Sequence, residues 1–290
     1  ERAALACLEV ICERQKRLGE ALAGMGETPG NRVLVVAGCG NNGGDGLALG
    51  RLLRQANFCV DVVLVGSREK LTPACRQQLE SLQAYGQKIL DILPDKEYDI
   101  IVDALFGVGL TRSLTGFYRE CVEYINGRDA FVLSVDIPSG IHADTGAVMG
   151  AAVYADVTVT FGFVKLGAFL YPGARYAGQV RCFPIGITAD SFLGEIPGRF
   201  TFTEPVDSLM PVRRPDGNKG SFGKAAILAG SETMAGAAIL AGEGAFAAGC
   251  GMVKLISPVE NRSVLQCALP EAMVTQDIRE ACGWADVIAA

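Results

Sequence analysis

The chain has 290 residues, half of them hydrophobic, with 26 Lys+Arg against 32 Asp+Glu and a net charge of −6. That length suits about two domains of roughly 150 residues each. The acidic balance excludes a broad nucleic-acid or anionic-lipid footprint but leaves room for a local anion pocket. The longest apolar stretch, at 235–253, is broken by Glu243, and none approaches the ~20 residues of a bilayer span, so no membrane role is expected. The ten cysteines include no Cys-x-x-Cys and read as reduced, mostly buried thiols of a cytoplasmic protein. His142 is the sole histidine, which weakens Ser-His-Asp and multi-His metal chemistry. Catalysis must then draw on Asp, Glu, Lys, backbone dipoles or a hard cation.

In chain order, residues 3–22 place Ala4, Leu8, Ile11, Leu18 and Leu22 at helical spacing, predicting an amphipathic helix. It begins abruptly, without an initiator Met or a targeting pattern, and is expected to lie inside a longer protein. Buried strands are predicted at 33–37, 59–65, 100–104, 131–135 and 157–161, with helices at 46–55, 73–85 and 116–126. This alternation predicts parallel β-α-β units in a Rossmann-like, doubly wound α/β sheet, mostly parallel, with 179–184 as a late edge strand that could run antiparallel. Between 187 and 218 the periodicity weakens among Pro197, Pro205, Pro211 and Pro215, predicting a boundary near 198. A second α/β pattern follows, with strands at 225–229, 252–256 and 285–290 and a small-residue helix at 235–248. Its last strand lacks a following loop and helix, so this domain is expected to be incomplete.

Chemistry-bearing residues gather at the predicted strand ends. Gly38, Gly40 and Gly43 fit G-x-G-x-x-G between a strand and a helix, where backbone amides can hold a pyrophosphate. Asp61 lies near the distance of a ribose-binding acid. The block Asn41-Asn42-Gly43-Gly44-Asp45 adds oxygen ligands that a dinucleotide fold does not require; the bland alternative is a tight turn with Asp45 as a helix cap. Asp103 ends another strand and leads into Gly107, Val108, Gly109, Leu110, Thr111, Arg112 and Ser113, a second anion loop. Arg112 could pair with phosphate or be a solvated loop arginine. Asp136, before Ile137-Pro138-Ser139-Gly140, is a candidate acid or base, or else a strand-end cap. Lys165 follows the next strand, where a surface lysine is the default. In an open parallel sheet these ends share one edge, so Asn42, Asp103, Asp136 and Ser139 should converge, and their oxygens could hold a hard cation, K⁺ or Mg²⁺.

At Asn41-Asn42-Gly43-Gly44-Asp45-Gly46, Val102-Asp103-Ala104-Leu105-Phe106-Gly107, Asp136-Ile137-Pro138-Ser139-Gly140 and Phe161-Gly162 the sequence resembles the NAD(P)H-hydrate epimerases over essentially residues 1–190. A second resemblance, to the ADP- or ATP-dependent NAD(P)H-hydrate dehydratases with their ribokinase-like fold, starts at Asn218-Lys219-Gly220-Ser221-Phe222-Gly223-Lys224. It continues through Gly230-Ser231, Met234, Gly236-Ala237-Ala238 and Pro270-Glu271-Ala272-Met273. Together they imply an epimerase domain at 1–197 and a partial, incomplete ribokinase-like dehydratase domain at 198–290. The first resemblance implies interconversion of the R and S forms of hydrated NADH or NADPH at C6. It further implies K⁺ on Asn42, Asp103 and Ser139, hydrate contacts from Asn41 to Asp45, Gly107 to Ser113 and Asp136, and proton movement by Asp136 with electrostatic help from Lys165. The second implies ADP or ATP as a co-substrate of the complete protein; Ala237 and Glu271 could line its hydrate pocket, the bland alternatives being a small helix residue and a surface acid. The chain ends before that family's later glycine-rich nucleotide loop and catalytic Asp, and Gly217 to Lys224 lacks Walker A spacing, Ala225 standing where Ser or Thr is needed. This stretch is expected to lack competent dehydratase chemistry. An NAD-dependent oxidoreductase and a silent nucleotide-binding module are the competing classes. A homo-oligomer is left open.

Overall fold

The computed structural model describes residues 1–23, 28–187, 191 and 216–290. They fall into two compact units, Glu1–Pro197 and Gly198–Ala290. The first unit runs α1 (Arg2–Leu22), β1 (Arg32–Ala37), α2 (Asn41–Gln55), β2 (Cys59–Leu64), α3 (Pro73–Ala84), β3 (Ile89–Leu90) and β4 (Ile100–Ala104). It continues with α4 (Phe117–Asn126), β5 (Phe131–Val135), β6 (Val157–Phe161) and β7 (Gln179–Phe183). Its seven strands form one sheet in the order β3-β2-β1-β4-β5-β6-β7, every neighbouring pair parallel.

Both faces of this sheet are covered, which is why its strands read as continuous apolar runs. Val33, Val35, Val102, Leu133 and Val159 point to the face packed by α1, α2 and α3 through Ile11, Leu47, Leu53 and Leu82. The alternate residues Leu34, Val36, Ile101 and Val132 meet Cys121 and Ile125 of α4 together with Leu110 and Leu114. Each fully buried aliphatic side chain contributes about 1.5–3 kcal/mol, so the central strands anchor the unit. The helix predicted at 3–22 is present as α1, and its buried face is concentrated in the first half, at Ala3, Ala4, Ala6, Cys7, Val10 and Ile11.

Two sequence expectations need correction, and one strand was missed. The helix expected at 46–55 begins five residues earlier: Gly44 N–H donates to Gly40 C=O at 3.0 Å, so the Asn-Asn-Gly-Gly-Asp block forms the first turns of α2. The last strand, expected as a possible antiparallel edge, pairs in parallel with β6 from Val157↔Gln179 to Phe161↔Phe183; residues 162–178 are long enough for the crossover that parallel pairing demands. The two-residue β3 went unpredicted because two residues carry no period.

The second unit contains β8 (Lys224–Leu228), α5 (Gly236–Ala247), β9 (Met252–Ile256), α6 (Arg262–Ala268), β10 (Met273–Thr275), α7 (Ile278–Trp284) and β11 (Val287–Ala289). Its parallel sheet has the order β10-β9-β8-β11, over a core of Ile227, Val253, Leu255 and Leu265. α6, β10 and α7 are short and were not anticipated. Lys254 is buried in this sheet, its ammonium 2.5 Å from Glu280 Oε1 and 4.4 Å from the centre of the Trp284 ring. The Lys224 ammonium stands 5.7 Å from the same ring.

Candidate functional site

The site is assembled at the carboxyl ends of β1, β4, β5 and β6, the edge where parallel sheets place ligands. At the end of β1 the glycines serve close packing. None of Gly38, Gly40, Gly43, Gly44 or Gly46 has a positive φ. A Cβ on Gly43 would fall 1.8 Å from Gly38 C=O, and one on Gly46 would fall 2.4 Å from the Ala104 methyl. Only glycine lets α2 start this close to β1 and β4, and that approach carries Asn42 and Asp45 to the sheet edge.

Asp103, near the end of β4, is fully buried. Its Oδ1 accepts from Ser139 Oγ–H at 2.6 Å and Leu105 N–H at 3.3 Å, and its Oδ2 from Ser134 Oγ–H and Ser139 N–H at 2.8 Å each. Burial pushes this carboxyl above its usual range, against the four donors that favour the anion. Ser139 Oγ in turn accepts from Phe106 N–H at 2.9 Å, tying the loop after β5 to the loop after β4. Ser134 was missed from sequence. Its signal was there as the one polar residue in the buried run 131–135.

Beyond Phe106 the chain reaches Gly107. A Cβ placed on it would lie 3.2 Å from Asp136 Oδ2 and 3.4 Å from Asn42 Oδ1, so α2, the loop after β4 and the end of β5 meet at one point. Asn42 Nδ2 is buried there without a partner among the described residues. Asp136 holds a left-handed backbone with φ 71°, a conformation costing a non-glycine residue about 1–2 kcal/mol. Its N–H donates to Val159 C=O at 2.7 Å. Its Oδ1 is 2.6 Å from Lys165 Nζ and accepts from Thr160 Oγ–H at 3.3 Å. Lys165 Nζ also donates to Phe161 C=O at 3.0 Å, so this lysine is pinned in the site rather than left as a surface charge. Thr160, like Ser134, is a polar residue in a buried strand and was missed. Asp45 is mostly buried. Burial pushes its carboxyl up to about 6, and the charge of Asp136 adds to the shift.

In the anion loop, Leu110 is 5% exposed and packs in the core, while Val108, Gly109, Thr111, Arg112 and Ser113 are exposed. Asn41 is exposed, Gly43 and Gly44 are buried, and Ala237 lies exposed on α5 in the second unit. The reading of Asp61 as a ribose-binding acid fails. It is the third residue of β2, in register with Leu34 and remote from the strand's carboxyl end, and it accepts from Tyr98 Oη–H at 2.7 Å and Lys96 Nζ at 3.1 Å. Among the described residues no cluster of three His, Cys, Asp or Glu could hold a metal, and no helix is long and apolar enough to cross a membrane.

Residues 1–167 match the YjeF-related protein N-terminus family and residues 225–289 match the NAD(P)H-hydrate dehydratase family. The chain is 42% identical over 234 residues to the bifunctional NAD(P)H-hydrate repair enzyme Nnr of Thermofilum pendens, covering 76% of this chain and 43% of that protein. It is 45% identical over 160 residues to the NAD(P)H-hydrate epimerase of Levilactobacillus brevis (55% of this chain, 74% of that one). It is 42% identical over 189 residues to that of Oenococcus oeni (64% and 84%). The chain spans about half the length of the bifunctional relatives it matches. The crystal structure of yeast ynu0, YNL200c, superposes with a TM-score of 0.52 at 23% identity, covering 69% of this chain and 85% of that one, and supports the fold. With its first family match spanning more than half its length, over the strands and loops that build the crevice, the chain belongs to the YjeF-related N-terminal family.

Proposed function

We propose that the first unit interconverts the R and S forms of hydrated NADH and NADPH at C6 of the nicotinamide ring. The observation that carries this reading is the meeting of Asn42, Gly107 and the Asp136–Lys165 ion pair at one point of the sheet edge, in a chain similar to proteins named NAD(P)H-hydrate epimerases. The amino end of α2, with Asn41 to Asp45, and the loop from Gly107 to Ser113 face the dinucleotide phosphates and riboses. Exposed Arg112 is placed for a phosphate. Asp136, held by Lys165 and Thr160, moves the proton that accompanies exchange of the C6 oxygen.

The donor set also suits a potassium ion. Asn42, Asp103 and Ser139 offer only oxygen among their acceptors, the hard type that alkali cations prefer, and Asp103 is a buried carboxylate with no cationic side chain beside it among the described residues. K⁺ bound by these three residues would balance the Asp103 charge and stiffen the Gly107 loop. The complete protein, on this reading, also dehydrates the S form with ADP or ATP, in keeping with the second family match. Here no step through that nucleotide follows. Residues 219–222 close as a 3-10 turn in which Asn218 Oδ1 accepts from Gly220 N–H at 2.9 Å, so that amide is satisfied internally rather than offered to phosphate. Ten free cysteines fit a reducing compartment, and we place the protein in the cytoplasm.

The test starts from enriched R-hydrate or S-hydrate of NADPH and follows both epimers by chromatography in K⁺ and in Na⁺ buffers. Both starting points should reach one R/S ratio, faster in K⁺. Asp136→Asn should lower the rate by about 10²–10⁴-fold with its far-UV spectrum intact. Absence of acceleration by folded wild-type protein would remove the epimerase reading.

A further inference from the structure

On the epimerase reading the nicotinamide ring lies at Asp136, beyond β5, and the amino end of α2, beyond β1, is left for the pyrophosphate. β2 stands on the far side of β1, three strand spacings from β5, or about 14 Å. α2 and α4 cover opposite faces of the sheet, so the chain parts between β1 and β4 and the crevice opens there. A dinucleotide with its reactive ring at Asp136 and its pyrophosphate at α2 lays its adenosine half over the carboxyl end of β2.

That end is organised around Gly66, whose φ is 112°. A Cβ on Gly66 would fall 2.6 Å from Tyr118 Oη and 2.8 Å from Cys39 Sγ, so a hydroxyl from α4 and the thiol of the glycine motif meet over one backbone position. Phe106, the residue before Gly107, braces the Tyr118 ring at 5.0 Å between centres. Cys39 Sγ lies 3.4 Å from Val65 C=O and 3.3 Å from Ser67 C=O, and Thr72 N–H donates to Cys39 C=O at 3.0 Å. These contacts hold residues 65–72 against the glycine motif. Tyr118 is half-buried, and its hydroxyl has no hydrogen-bond partner among the described residues. Nearby, Arg68 is engaged by Asp91 at 3.5 Å and Arg76 by Arg68 C=O at 3.3 Å, whereas exposed Lys70 has no ion pair among the described residues. Glu69, its neighbour in a 3-10 turn, points about 120° away. Burial pushes the Cys39 thiol and the Tyr118 hydroxyl above their ordinary values; the charge of Lys70 works against this at Cys39 and that of Arg112 at Tyr118. Cations from the loops after β2 and β4 thus act on the same pair of groups.

We infer that the carboxyl end of β2 is the adenosine-ribose subsite and that it selects a 2′-phosphate, with the Lys70 ammonium and the Tyr118 hydroxyl as its donors, so that hydrates of NADPH are preferred to hydrates of NADH; the inference rests on the epimerase reading. A phosphate monoester carries about −1.5 to −2 charges at neutral pH and three acceptor oxygens, which matches a free ammonium beside a free hydroxyl. A site for a bare ribose places a carboxylate at the end of this strand to accept from the 2′-hydroxyl. Val65, Gly66 and Ser67, which follow β2, include no acid, and Asp61 stands at the other end of the strand. Arg112 remains with the pyrophosphate, on the far side of Tyr118 from the β2 turn.

The experiment compares kcat/KM for the R-hydrates of NADPH and NADH, and by calorimetry the affinities of adenosine 2′,5′-bisphosphate and adenosine 5′-monophosphate, in wild type, Lys70→Ala, Lys70→Arg and Tyr118→Phe. Wild type should favour the 2′-phosphorylated member of each pair by about 10–100-fold. Lys70→Ala should cut both ratios by about tenfold and Tyr118→Phe by about three- to tenfold, while Lys70→Arg keeps most of the preference. Amide NMR of the wild type should show the Gly66 and Cys39 signals moving with the bisphosphate, which separates this subsite from any adenylate held by the second unit. Equal treatment of both hydrates and both adenylates by wild type, Gly66 and Cys39 signals unmoved by bound bisphosphate, or ratios unchanged in Lys70→Ala and Tyr118→Phe, overturns the inference while leaving the epimerase reading intact. A wild type that accelerates epimerisation of neither hydrate overturns the reading on which the inference rests.

Discussion

At Asp45 the fold carries an energetic penalty, that of desolvating a carboxyl. A carboxyl whose folded-state value rises from 3.8 to about 6 binds its proton more tightly folded than unfolded, so stability falls as pH rises between those values. Below about pH 3.8 both states are protonated and the penalty vanishes; above pH 6 it is complete. Asp45→Asn should therefore stabilise the first unit by on the order of 2–3 kcal/mol at pH 8, and the gain should fade to nothing by pH 4. Denaturant melts followed by far-UV circular dichroism at the two pH values check this. A gain of equal size at both would mean that burial of the charge is not its source. Asp136 shows a related cost in its backbone, at φ 71°. Local strain and buried charge at one crevice are what a reactive centre looks like in a fold otherwise built for packing.

Elements decide whether those residues meet. α2 has to start against β1, and Gly43 marks how tightly. Gly43→Ala puts a Cβ 1.8 Å from a backbone oxygen, whereas Gly40→Ala, in the same glycine motif, meets nothing within 4 Å. The first should cost at least about 3 kcal/mol and displace Asn42 and Asp45 together. The second should cost no more than about 1 kcal/mol. Thermal melts of the two variants make the comparison, and equal effects would contradict the packing argument. The same helix shows what sequence can convey. The long apolar runs 33–37 and 100–104 announced the strands, and the motif order placed Asn42, Asp103, Asp136 and Ser139 on one edge. Glycine, however, signals a turn in sequence, and here it signals proximity, so the start of α2 was set too late. Thr160 and Ser134 escaped for a different reason: each is an isolated polar side chain in a buried strand, and only the fold reveals which carboxylate it faces. Asp61 erred the other way, since a count along the chain cannot tell the beginning of β2 from its end.

On the scale of the whole molecule, the chain carries two parallel sheets of unequal size, seven strands and four, each with its own core. The larger sheet presents the proposed chemistry. All seven tyrosines lie before the division and the sole tryptophan after it: Trp284 belongs to the second unit, at the end of α7, with the Lys254 and Lys224 ammonium groups near its ring. The protein thus contains a built-in optical label for one half of itself. Excited selectively over the tyrosines, its emission should follow the loosening of α7 from β8 and β9. A denaturant titration read by this emission and by far-UV circular dichroism should give transitions that separate whenever the two units differ in stability. Coincident transitions in variants that weaken only the first unit, such as Gly43→Ala, would show that the two halves unfold as one.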